Sequence, residues 1–195
     1  MSRLGALATG VLCLSLIGCA LAGGGRPPTT YDLVAPRSFA GTTKTAPWQL
    51  MVYEPSATSS LDSTRLMVRP KADQVSYYKG IAWSDRLPRL VQTRMIETFQ
   101  NSGAVKAVSP SSGQYALASE LRAFNIDVTS GHAAAEIDIF AKLINTSTGK
   151  VVATKAFSSR VAAKSDAPED AIAALNQAFT EVLQDTTTWV ATRRG

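Results

Sequence analysis

The clearest pattern along this chain is an alternation. Ala135, Ile137, Ile139, Ala141 and Leu143 fall on one side of an extended backbone, and Glu136, Asp138 and Lys142 fall on the other. Successive side chains of a strand point to opposite faces, so this pattern predicts a half-buried antiparallel strand within His132 to Asn145. The segment Tyr115 to Thr129 reaches it through a tight Ser130-Gly131 turn, and Thr146-Ser147-Thr148-Gly149 leads into a third strand from Lys150 to Ala163. A different period marks two helices. Leu87, Leu90, Val91, Met95 and Phe99 recur at helical spacing behind Asp85 and Pro88, and Gly103 can stop the run. Near the end, Ile172, Leu175, Phe179, Val182 and Leu183 form a second stripe behind Ser165, Asp166 and Pro168-Glu169-Asp170. Thr186-Thr187-Thr188 is expected to weaken its last turns.

Shorter β signals precede the first helix. Thr30 to Val34 and Trp48 to Tyr53 read as strands separated by a loop from Ala35 to Pro47, and Ser56 to Ser60 reads as a turn. Arg65 to Arg69 and Gln74 to Tyr78 flank Pro70-Lys71-Ala72-Asp73, which suggests a hairpin. Ala104 to Ser109 is a further short strand. The order of strands, helix, strands, helix predicts an α+β fold: a mostly antiparallel sheet with two main helices packed on one face.

The N-terminus has its own character. After Arg3 no charge occurs from Leu4 to Leu21, and the run ends in Leu16-Ile17-Gly18-Cys19. An aliphatic residue, a tolerant position, a small residue and a cysteine look like a bacterial lipobox, in which the thiol accepts a diacylglyceryl group before cleavage. The expected organisation is a signal peptide over 1–18, a lipidated tether over 19–28 and one domain over 29–195. Cys19 is the expected lipid-attachment residue. Several acyl chains hold a protein on a membrane where a single chain does so only marginally. Ala20 follows, not the aspartate that typically retains a lipoprotein in the inner membrane of enterobacteria, so the expected address is the periplasmic face of the outer membrane.

Composition narrows the chemistry. With 45% hydrophobic and 18% charged residues, the chain is neither disordered, collagen-like nor a polytopic membrane protein. Its two cysteines are Cys13 and Cys19, so a processed chain keeps no free thiol. His132 is the single histidine, which excludes multi-histidine zinc sites. No phosphate-binding loop or nucleophile elbow is present. Neither His132 in its turn nor the Glu136 and Asp138 pair makes a strong case for a hydrolase. The expectation is no catalytic residue, no metal and no cofactor. The formal net charge of +5 is scattered, unlike the basic patch of a nucleic-acid binder. One stretch is unusual. Tyr77, Tyr78, Trp83 and Asp85 crowd together just before the first helix, and exposed aromatics are favoured interface anchors, so these four are the candidate partner interface.

Arg69 followed by Tyr77-Tyr78-x-Gly-x-x-Trp83-x-Asp85-x-Leu87-Pro88 resembles the signature of the ABC-type transport auxiliary lipoproteins, the paraquat-inducible protein C-like family. The likeness continues through the Tyr115-x-Leu117 strand, the Glu136-to-Lys142 strand, the Thr148-Gly149 turn and Phe157. The resemblance implies a domain similar to the N-terminal domain of TolB. It also implies a periplasmic MCE-domain protein with its ABC permease and ATPase as partners, moving phospholipids or other hydrophobic molecules between membranes. A homo-oligomeric ring is a further implication. The alternative is a structural or assembly lipoprotein that partners an outer-membrane β-barrel.

Overall fold

The computed structural model describes residues 27–39, 45–108 and 112–193. Cys19 and the expected signal and most of the tether lie outside these residues. The strands are β1 (Thr29–Tyr31), β2 (Gln49–Val52), β3 (Ser56–Ala57), β4 (Arg65–Lys71), β5 (Gln74–Trp83), β6 (Lys106–Val108), β7 (Tyr115–Asp127), β8 (Ala134–Asn145) and β9 (Val151–Ala162). The helices are α1 (Leu87–Ser102) and α2 (Pro168–Ala191).

One sheet holds all nine strands. Its backbone is the long antiparallel series β7, β8, β9, which supplies most of the paired residues. Along its other edge β7 is met in succession by β2, β3 and β4, each running parallel to it. The sheet continues from β4 antiparallel to β5 and then parallel to β1, and from β2 parallel to β6. The expected α+β architecture is present. The short parallel pairings carry no periodicity signal of their own, because they depend on chain segments far apart in sequence.

Alternation on β8 does what the pattern requires. Ala135, Ile137, Ile139, Ala141 and Leu143 are all fully buried. Register places Phe124 opposite Ile137 and Leu117 opposite Leu143, so this face of β7 joins the same core. Helix α2 covers it, with Phe179 edge-on to Phe124 at 5.6 Å and Trp189 edge-on to Phe157 at 5.6 Å. A fully buried side chain of this size stabilises by about 2–3 kcal/mol. Helix α1 packs beside α2, against β2 and β6, through Leu87, Leu90, Val91, Met95 and Phe99. The opposite face of the sheet lacks a helix among the described residues.

The helix ends differ in detail from the sequence reading. Gly103 ends α1 in the left-handed conformation, at φ 62°, where a side chain would be strained. The cap positions fall on Arg86 and Ala167, one residue later than Asp85 and Asp166, and neither makes a side-chain cap bond. Asp85 instead accepts from the Arg86 N–H at 2.7 Å. The threonines near the end of α2 do not break it. Thr186, Thr187 and Thr188 each donate their hydroxyl to the carbonyl four residues earlier, and the helix runs on to Ala191.

Candidate functional site

The aromatic stretch lies on β5 and the turn into α1. Between the Met67–Tyr77 and Arg65–Ala82 pairs, β5 carries three more residues than β4. This bulge contains Gly80, at φ 72°, a conformation open to glycine and strained for other residues. Its consequence is a division of labour along one strand. Before the bulge β5 pairs with β4 alone; after it, Ile81 to Trp83 pairs with β1 on one side while Ala82 still pairs with Arg65 of β4 on the other.

The four candidate interface residues are separated by this geometry. Tyr77 faces away from the helices, on the side shared by Met67, Asn125 and Glu136. The Arg65 guanidinium stacks 3.7 Å above its ring centre, and its hydroxyl donates to the Ser60 carbonyl at 3.3 Å. Tyr78 turns to the helix side, where its hydroxyl donates to the Asp166 carbonyl at 3.0 Å and ties β5 to the approach of α2. Partial burial raises the pKa of that hydroxyl, and the Asp166 carboxylate raises it further. Both tyrosines are half-buried.

Trp83 requires a correction. It is 3% exposed and packs edge-on against Phe124 at 6.1 Å, inside the helix–sheet core. Its side chain is therefore an internal anchor and not a surface contact. The reason is parity: Trp83 shares a face with Ile81, which also lies in the core. Asp85 is half-buried and pairs with Arg89 at 3.3 Å. Beside it Arg86 reaches Asp62 at 2.5 Å and Glu54 at 3.2 Å. These exposed ion pairs lie at the start of α1, where solvent screens them.

A cleft of ≈ 400 Å³ opens where the two tyrosines meet Val68, Pro70, Lys79 and Pro168. A second, of ≈ 590 Å³, lies at the far end of the sheet beside Trp48, Tyr115 and Gln114. Sequence reasoning did not find this second cleft; Trp48 and Tyr115 are 67 positions apart in the chain but touch edge-on at 4.9 Å.

Of the residues weighed for catalysis, Glu136 and Asp138 share one face of β8, and His132 lies outside that strand. His132 is exposed in the β7–β8 turn. Glu136 accepts from Asn125 at 3.3 Å, and its register partner on β9 is Arg160. Among the described residues no group of three or more His, Cys, Asp and Glu side chains could hold a metal ion. No described helix is long and apolar enough to cross a membrane. One carboxylate is strongly tuned. Asp127, at the end of β7, accepts the Thr129 backbone N–H at 2.8 Å and the Arg160 guanidinium at 2.7 Å. Thr129 first, then Arg160, hold its pKa down at about 2 against the opposing effect of burial.

The described fold has close counterparts. Protein XCC0632 from Xanthomonas campestris is 30% identical, with a TM-score of 0.78 over 84% of this chain and 95% of its own. The hypothetical protein CT253 from Chlamydia trachomatis shares the fold at a TM-score of 0.55, with 6% identity over 75% of this chain and 96% of its own. Among curated proteins, the uncharacterized protein bll6063 of Bradyrhizobium diazoefficiens is 31% identical over 175 residues, or 87% of this chain. Those residues make up 47% of bll6063, so this chain spans about half the length of that relative. The family described as the ABC-type transport auxiliary lipoprotein component matches residues 31–186, from β1 almost to the end of α2. The match takes in the bulge at Gly80, the Trp83 anchor and the whole antiparallel sheet, and the chain belongs to that family.

Proposed function

We propose that this protein is the lipid-anchored, non-catalytic auxiliary component of an MCE/ABC-type transport system that moves phospholipids or other hydrophobic molecules between two membranes. The observation that carries this reading is the conjunction of family membership over residues 31–186 with the Leu16-Ile17-Gly18-Cys19 motif upstream of it. Residues 1–18 are the signal peptide, 19–28 the tether and 29–195 the working domain. Acyl chains on Cys19 hold that domain at the periplasmic face of the outer membrane. There it receives the MCE-domain protein of a system powered by its ABC permease and ATPase, as one subunit or as a ring of copies.

The mechanism is positional. By composition, Gly23-Gly24-Gly25 followed by Arg26-Pro27-Pro28 is a short linker between Cys19 and the domain. The docking surface is the region around Tyr77, Tyr78 and Asp85, supported by the half-burial of both tyrosines and the cleft beside them. Trp83 supports that surface from beneath. No chemical step is assigned to the protein: His132 is exposed in a turn, and Glu136 accepts from Asn125.

Two measurements test the reading. Metabolic labelling with a palmitate analogue should mark the wild-type chain, and Cys19→Ala should abolish both the label and signal cleavage. Gentle solubilisation from native membranes, with the protein tagged at Gly195, should then recover an MCE-domain protein, and Tyr78→Ala should weaken its recovery. Recovery of an outer-membrane β-barrel with no MCE protein would overturn the transport assignment.

A further inference from the structure

The long antiparallel series ends at β9, which pairs with β8 and with no other strand among the described residues. Twelve residues, Val151–Ala162, thus present one free edge of backbone N–H and C=O groups. The other outer strands, β1 and β6, have three residues each. Long free edges are templates for another strand, and proteins usually shorten them, kink them or interrupt them with proline. β9 has no proline and no glycine; its one irregularity is a register shift at Val152, near its start, and Val151 and Val152 are each about half exposed, at 52% and 50%.

The charge carried by this segment itself is one-sided, while the Glu181 carboxylate of α2 accepts the Ser159 hydroxyl at 2.6 Å. Between Gly149 and Ser165 the chain carries Lys150, Lys155, Arg160 and Lys164, with no carboxylate. Arg160 is neutralised by Asp127. None of the three lysines reaches a carboxylate among the described residues, and Lys155 lies 5.0 Å from the Phe157 ring centre. Lys150, Lys155 and Arg160 recur at every fifth position; Lys155 and Arg160 lie on opposite faces of β9, and Lys150 precedes the strand, beyond a register shift at Val152. A second copy of β9 would oppose these cations with more cations, and like charges directly across a ladder are destabilising. The complementary occupant is a different chain.

We infer that the free edge of β9 is a strand-addition site for an extended segment of a partner protein that carries carboxylates five residues apart among β-forming residues. Backbone hydrogen bonds would supply the attachment, and the lysines would select the partner. This inference goes beyond the transport reading and stands without it, because the test below uses neither a transport protein nor a lipid.

The probe is a blocked peptide, Glu-Thr-Val-Thr-Val-Glu-Thr-Val-Thr-Val-Glu, with its counterpart in which every Glu is Lys. Hydrogen exchange is followed by mass spectrometry on the full chain in mild detergent. The glutamate peptide should slow exchange across 151–162, and the lysine peptide should leave it unchanged. The exposed pair Lys150→Glu and Lys155→Glu should weaken the glutamate peptide by about tenfold and make the lysine peptide protective. Circular dichroism would establish that this variant is folded; should it not be, the two peptides on the wild-type chain decide. Unaltered exchange at 151–162 with the glutamate peptide would overturn the site and leave the lysines as guards of an unused edge. Equal protection by both peptides would overturn the charge selection. Either failure leaves lipid attachment at Cys19 and MCE recovery untouched.

Discussion

Asp127→Asn tests whether the β7–β8 corner is held by charge. The asparagine retains an oxygen for the Thr129 N–H but loses the carboxylate charge that this bond and Arg160 stabilise. The native pKa falls from 3.8 to about 2, and at about 1.4 kcal/mol per unit this is about 2 kcal/mol of folding free energy. The Asp127 side chain is 13% exposed, so solvent screens the interaction weakly. Because the folded pKa is the lower one, the stabilisation is complete above the unfolded value and is lost as pH falls through the folded value. Urea unfolding of both proteins, in the same detergent, should therefore show the variant weaker by about 1–2 kcal/mol at neutral pH. That gap should close between about pH 5 and pH 2. Arg160→Ala should reproduce the smaller part of the effect, since the Thr129 N–H is the leading cause and Arg160 is 46% exposed. A gap that stays constant across this pH range would refute the argument, because it would mean that the lost interaction does not depend on ionisation.

Two further substitutions separate structure from surface. Trp83→Ala should cost about 3–5 kcal/mol in urea unfolding, as a buried aromatic does; a cost under about 1 kcal/mol, as for an exposed residue, would contradict its place in the core. Gly113→Ala should destabilise by about 1–3 kcal/mol in the same assay, because the new Cβ would meet the Gln49 carbonyl oxygen at 2.9 Å and the Met51 nitrogen at 3.1 Å, both backbone atoms.

Gly80 and Trp83 show why a motif can be visible without its meaning being visible. Both stand out in the sequence within a dense aromatic stretch, and that density alone suggests a surface for a partner. In the fold, Gly80 supplies a bulge and Trp83 fills the core beneath it. Once β5 is bulged, simple alternation can no longer be counted from Tyr77 to Trp83, so the face of each side chain depends on where the extra residues fall.

Local patterns determined much of this protein. The alternation of β8, the stripes of α1 and α2, the turns at Gly131 and Gly149 and the stop at Gly103 are legible in the sequence because each depends on residues within a few positions of one another. The Leu16-Ile17-Gly18-Cys19 motif is equally local, and lipid attachment at Cys19 is part of the proposed function. Tertiary structure decided the rest: the parallel arrivals of β2, β3 and β4 on β7, the meeting of Trp48 with Tyr115, and the free edge of β9. These are relations between segments far apart in sequence. A strand's own residues specify its faces through their period, but its neighbours are selected by the packing of the whole sheet.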